Sequence, residues 1–111
     1  MSNSSYLVVV SRDPADDAPE TRRVFDLVLG LAKSGADIVV WLVHNGVFAA
    51  RDALAERVLA PLVKVGVRVI TDDFSIRERG IPSARLSPHT TAVPIDDIVG
   101  EIAAGRKPLW H

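Results

Sequence analysis

The chain has 111 residues, a formal net charge of -1 at pH 7, 48% hydrophobic residues and 5% aromatic residues. This length fits one domain with its own core, so we expect no domain boundary within residues 1–111. Acidic and basic residues are interspersed, which argues against a surface for nucleic acid or anionic membrane. An apolar content made mainly of Val, Leu, Ile and Ala is typical of a buried parallel sheet flanked by helices.

The sequence contains no cysteine. This excludes disulfides, thiolate metal sites, cysteine nucleophiles and a persulfide carried by the chain itself. No apolar run reaches the ~18 to 20 residues that span a bilayer, and residues 1–5 lack the basic-then-apolar order of an export signal. We therefore expect a cytoplasmic protein with no membrane partner.

The first half of the chain contains two continuous apolar runs, residues 6–10 (YLVVV) and 37–43 (DIVVWLV). Such runs predict strands in a sheet whose two faces are both covered. Between them, Asp17 and Glu20 form the acid-x-x-Glu pattern of a helix entry. The sequence therefore predicts a helix from this point to about Ser34.

The apolar surface of this first predicted helix is wider than one sheet face would cover, because Phe25, Leu27 and Leu29 extend it beyond the main stripe. Two interpretations are open. The helix is wrapped on all sides by its own core, or Phe25 and Leu29 belong to a subunit interface.

The second half of the chain predicts further strands at residues 67–71 and 90–93, separated by a loop over 81–89. Before them, residues 48–60 predict a helix that Pro61 interrupts, since proline cannot continue the hydrogen-bond ladder.

The end of the chain combines an amphipathic helix with an apolar tail. Ile95, Ile98 and Ile102 follow helical spacing and predict a helix that ends at Gly105. The tail after it either adds a fifth strand or docks Trp110 on a hydrophobic surface, and we take Trp110 as a candidate interface residue.

Strands that alternate with helices through short connections predict a doubly wound α/β fold, with a mainly parallel sheet of four to five strands between two helical layers. Ligands of such sheets bind beyond the carboxyl ends of the strands. Three strand ends can share one edge there, and their polar residues form what we call the candidate rim. It comprises Ser11, Arg12, Asp13, His44, Asn45, Gly46, Asp72, Asp73 and Ser75.

Asp72 and Asp73 follow the third predicted strand and admit two interpretations. Together with Asp13 they could bind a cation or a phosphoryl group, since hard metals prefer carboxylate oxygens. Alternatively they cap the short helix that follows and compensate its dipole, which we favour because both lie in its first turn. We therefore predict no metal site, no cofactor and no catalytic residue, and the chain has no glycine-rich phosphate loop.

Four segments resemble the DsrE/DsrF/DsrH family of small sulfur-relay proteins. They are residues 45–50 (NGVFAA), 72–74 (DDF) leading to 79–81 (RGI), 94–99 (PIDDIV) and the closing Leu109-Trp110, which is similar to the tail of the DsrH/TusB branch. The resemblance covers nearly the whole chain, and it depends on the order and spacing of the segments.

This resemblance implies a flavodoxin-like fold and assembly into homo-oligomers, or into hetero-oligomers with related cysteine-bearing subunits. Active subunits of the family carry a persulfide on a cysteine near the start of the third helix. The matching positions here, Asp73 to Ser75, hold no cysteine, so the persulfide role is not transferred.

Two functional hypotheses follow. The first is a non-catalytic DsrE/DsrH-like subunit that oligomerises and presents the candidate rim to a sulfur-carrying partner. The second is a small-ligand, metal or phosphoryl-binding module that uses Asp13, Asp72, Asp73 and His44.

Overall fold

A computed structural model describes residues 4–15 and 18–111. The predicted helix entry at Asp17 lies outside the described residues. The strands are β1 (Ser5–Val10), β2 (Asp37–Leu42), β3 (Arg68–Asp72), β4 (Thr91–Val93) and β5 (Lys107–Trp110). The α-helices are α1 (Ala18–Lys33), α2 (Asp52–Val58), α3 (Ala60–Lys64), α4 (Asp73–Glu78) and α5 (Ile95–Ala103), and short 3₁₀ helices span His44–Ala50 and Ser83–Arg85.

All five strands lie in one parallel sheet with the order β4-β3-β2-β1-β5. β1 lies between β2 and β5, and its Val8 pairs with Val40 of β2 on one side and with Leu109 of β5 on the other. This confirms the predicted fold class. Of the two alternatives for the tail, the structure has the fifth strand.

The helices form two layers because the direction of strand addition reverses once. From β1 to β4 each strand is added on the same side of the previous strand. The helices between these strands pack on one face of the sheet, where Val28, Leu62 and Ile76 share one core. β5 returns to the far side of β1, and Ile98 of α5 packs on the opposite face with Val39. The result is the expected three-layer α/β/α arrangement.

The predicted helix over residues 48–60 is wrong in its first part. Residues up to Ala50 form a 3₁₀ helix, and Arg51 is extended, with φ -73° and ψ 144°. Arg51 forms an antiparallel bridge with Leu86, and the Ser87 amide donates to the Ala50 carbonyl at 2.8 Å. Pairing with the 81–89 loop thus overrides local helix preference here, and α2 begins only at residue 52.

The break predicted at Pro61 is confirmed, since α2 ends at Val58 and α3 begins at Ala60 with the proline in its first turn. At the amino edge of the sheet, Arg106 ties α5 to β2. Its Nε donates to Glu101 Oε2 at 2.6 Å and its Nη2 to Asp37 Oδ2 at 3.1 Å. These contacts anchor α5 at the edge opposite the candidate rim.

Within the described ranges, no helix is both long enough and apolar enough to cross a bilayer.

Candidate functional site

The loops after β1 and β2 meet closely at the carboxyl edge of the sheet. Gly46 lies against the end of β1, and a Cβ atom at this position would be 1.9 Å from the Val10 carbonyl oxygen. The amide of Val43 donates to the same oxygen at 3.0 Å. Position 46 therefore requires glycine because of this close approach between main chains.

Ser75 connects the loop after β2 to the end of β3. Its hydroxyl accepts from the His44 amide at 3.0 Å and donates to Asp72 Oδ2 at 2.6 Å. The Ser75 amide also donates to Asp72 Oδ2, at 3.1 Å. Asp72 and Ser75 are both buried, so this small network fixes two neighbouring strand ends in a water-poor setting.

The two aspartates of the rim have different roles. Asp72 caps α4 through the Ser75 amide, which confirms the capping interpretation for this residue. Asp73 is more exposed and forms an ion pair with Arg77 one turn later, at 3.6 Å. Among residues 4–15 and 18–111, no group of three or more His, Asp or Glu side chains is placed to hold a metal ion.

His44 has an unusual main-chain conformation for a residue with a side chain. Its φ is 53°, in the left-handed region, and its side chain is exposed. Such conformations are uncommon outside glycine and are found more often at functional positions. The imidazole therefore projects from a loop whose main chain is fixed by Ser75.

The remaining rim residues contact their own loops or their neighbours. Asn45 Oδ1 accepts from Arg79 Nε at 3.0 Å, which joins the loop after β2 to the end of α4. Asp13 Oδ1 accepts from the Ala15 amide at 2.9 Å, within its own turn. Arg12 lies 3.9 Å from Glu20 in an exposed ion pair.

At this edge, His111 contacts Ser11 and Thr21, and no pattern in the sequence predicts these contacts. The main-chain oxygen of His111 accepts from both the amide and the hydroxyl of Ser11, each at 2.8 Å. The His111 ring Nε2 lies 3.1 Å from the hydroxyl of Thr21, which is fully buried. The residues are about a hundred positions apart in the chain, so only the placement of β5 beside β1 brings them together.

The connections change from one face of the sheet to the other between β3 and β4. The chain leaves β3 toward α4 on one face of the sheet and leaves β4 toward α5 on the other. Open α/β sheets bind ligands at such points. Phe74 in the first turn of α4 is 57% exposed, and Ile95 at the start of α5 is 54% exposed. Sequence reasoning did not predict that these two apolar side chains are exposed, although it identified the two aspartates before Phe74.

The candidate interface residues lie in different places. Phe25 is only 6% exposed and belongs to the core, so it offers almost no surface to a partner, whereas Leu27 of the same helix is exposed. Phe25 and the half-buried Leu29 line a groove between α1 and α2–α3. Trp110 is 68% exposed, and the neighbouring Leu109 lines a separate hollow on the α1 side of β5 together with Leu27.

The outer surface of α5 is apolar. Ile95, Val99 and Ile102 follow the spacing i, i+4, i+7 and are each more than half exposed. We call these three residues the α5 stripe. Only Ile98 of this helix is buried against the sheet. Trp110 lies on the same sheet face as α5, because its partner in the parallel register is Val9 of the core beneath that helix.

Comparison with known proteins gives the fold but no family. No family model and no curated protein matches the chain. MTH1491, a protein of unknown function from Methanobacterium thermoautotrophicum, has a similar structure with a TM-score of 0.77 at 22% identity, covering 96% of this chain and 99% of that one. The ychN protein from E. coli gives 0.81 at 16% identity with the same coverage. BT1422 from Bacteroides thetaiotaomicron, also of unknown function, gives 0.71 at 13% identity over 96% and 95% of the two chains.

Proposed function

We propose that this chain is a non-catalytic, oligomerising subunit of an intracellular sulfur relay, similar to DsrE/DsrH proteins. It associates through the α5 stripe with copies of itself or with related cysteine-bearing subunits. In the assembly it presents the candidate rim to the sulfur carrier.

The exposed α5 stripe is the observation that supports association most directly. A helix that lies on a sheet at the surface normally turns polar residues outward. Here Ile95, Val99 and Ile102 all face outward, and Trp110 adds apolar area on the same face of the sheet. Contiguous apolar surface of this kind is typical of protein contact sites.

The amino-acid composition favours a non-catalytic role for this chain. A persulfide needs a thiolate, and the sequence has no cysteine. At the rim, the hydroxyl of Ser75 is engaged with Asp72 and the His44 amide. The resemblance to the family then favours a partner that brings the reactive sulfur.

The test is the native mass of the protein purified from its own cell extract. We expect a mass that is a multiple of the 12.0 kDa chain, or a mixed assembly that contains a related cysteine-bearing chain. After incubation with a persulfide donor, the added sulfur is expected on the partner chain alone. Val99→Asp places a charge in the α5 stripe and should release single chains, because burying that charge at an interface is costly.

Ala53→Asp is the matched control, since Ala53 is an exposed helix residue outside the α5 stripe. It should leave the assembly intact. A wild-type chain that runs as a monomer without a cysteine-bearing companion would contradict the association. A mixed assembly in which the cysteine-bearing chain accepts no sulfur would contradict the relay and leave the association standing.

A further inference from the structure

The groove between α1 and α2–α3 has the volume of a small-molecule site. Its volume is about 500 Å³, within the range of roughly 300 to 1,000 Å³ that is common for ligand pockets. One wall is a single face of α1, where Arg22, Phe25 and Leu29 follow helical spacing. The opposite wall presents Arg57 and Val58 of α2.

The bottom of this groove is apolar, and its mouth is charged. Leu29, Leu54 and Val58 are partly exposed and form an apolar floor, beneath which Phe25 and Leu62 are buried. Arg22, Asp26 and Arg57 are exposed and surround the opening. Two guanidinium groups therefore face one carboxylate, which leaves an excess of positive charge at the mouth.

The two arginines are available to a ligand. Neither Arg22 nor Arg57 has an ion-pair or hydrogen-bond partner for its guanidinium among residues 4–15 and 18–111. Guanidinium groups bind carboxylates through paired, charge-assisted hydrogen bonds. A ligand with an apolar body and one carboxylate would bury the body on Leu29, Leu54 and Val58 and place its charge between the arginines.

We propose that this groove binds a small organic acid with an aliphatic chain. Its carboxylate pairs with Arg22 and Arg57 at the mouth, and the chain fills the space above the floor. The site shares no residue with the α5 stripe or with the candidate rim, so it stands apart from the proposed sulfur-relay role.

Titration of the full chain with octanoate, octanol and octylamine at fixed ionic strength tests this proposal. We expect octanoate to bind at least about tenfold more tightly than octanol, because only the acid engages the guanidiniums. Octylamine should bind more weakly than octanol. Amide chemical shifts of Leu29 and Val58 should move as octanoate is added.

Arg57→Gln and Arg22→Gln should each weaken octanoate binding by about tenfold and leave octanol binding unchanged. Arg85→Gln is the matched control, since Arg85 is exposed, lies outside the groove and has no side-chain partner among the described residues. Val58→Trp fills the groove without changing its charge and should abolish binding of both octanoate and octanol.

The proposal is overturned if octanoate and octanol bind equally, or if the arginine variants behave like Arg85→Gln. It is also overturned if the shifted amides lie outside the groove. Shifts at Leu29 and Val58 that follow protein concentration, and not octanoate, would assign the groove to a second copy of the chain and would equally reject the organic acid.

Discussion

Single residues at the carboxyl edge determine how close the strand ends can come. Ser75 joins the His44 amide, in the turn after β2, to Asp72, which caps the helix that contains Ser75. Gly46 lets the loop after β2 touch the end of β1. The rim is therefore fixed by short main-chain contacts more than by its exposed side chains. A substitution that disturbs one of these main-chain contacts should lower stability more than a substitution of an exposed rim side chain.

Gly46→Ala tests how much these main-chain contacts contribute to stability. The new Cβ atom would lie 1.9 Å from the Val10 carbonyl oxygen, a main-chain atom that cannot move without shifting β1. We expect the free energy of unfolding to fall by about 2 kcal/mol or more, since overpacking typically costs about 1–3 kcal/mol. Urea denaturation measures it.

Gly30→Ala is the control with the opposite expected sign. Gly30 lies within α1 and has no atom within 4 Å of the position a Cβ would take. Alanine should raise the free energy of unfolding by roughly 0.5–1 kcal/mol through its helix preference. Equal effects of the two substitutions would show that the contact at Gly46 does not limit the fold.

At the level of elements, the helices on the first face of the sheet divide their apolar residues between core and surface. Leu62 of α3 is 1% exposed and packs under α1, whereas Leu27 of α1 is 55% exposed and faces the hollow beside β5. The extra apolar surface of α1 in the sequence thus has two destinations. Phe25 enters the core and Leu27 remains outside.

A matched pair of leucine truncations separates these two situations. Leu62→Ala should lower the free energy of unfolding by about 2–5 kcal/mol, because it leaves a cavity in the core. Leu27→Ala should change it by no more than about 0.5 kcal/mol, as expected for an exposed helix position. Thermal and urea denaturation of both variants check the difference, and a large loss in Leu27→Ala would place that side chain in a buried contact.

The edge strand β5 limits how partners can approach. The His111 amide donates to the Val9 carbonyl, so alternate residues of this strand direct their main-chain groups toward β1. Pro108 and Trp110 direct their main-chain groups away from β1, and proline has no amide hydrogen. The outer edge of β5 therefore has a donor only at Trp110, which disfavours addition of another strand and leaves side-chain contacts as the route to association.

Over the whole molecule, the sequence predicted the features that depend on local pattern. Residues 6–10 and 37–43 became adjacent parallel strands, and Asp72 became a cap. The predictions from the sequence failed where segments that are distant in the chain meet. The pairing of Arg51 with Leu86 replaced a predicted helical turn, and the contact of His111 with Ser11 needed the position of β5. The burial of Phe25 beside an exposed Leu27 also depends on how α1 rotates against the sheet, which periodicity does not resolve when the apolar surface is wide.

The molecule as a whole then has three separate surfaces: the candidate rim at the carboxyl edge, the groove on the α1 face and the α5 stripe on the opposite face. If the α5 stripe associates, folding is linked to protein concentration. For a dimer of chains this size, a tenfold rise in concentration should raise Tm by roughly 3 °C. Ile102→Asp should remove this dependence, whereas Ala53→Asp should retain it. Scanning calorimetry over a hundredfold range of concentration measures the slope, and a wild-type Tm that stays constant over that range would exclude self-association through α5.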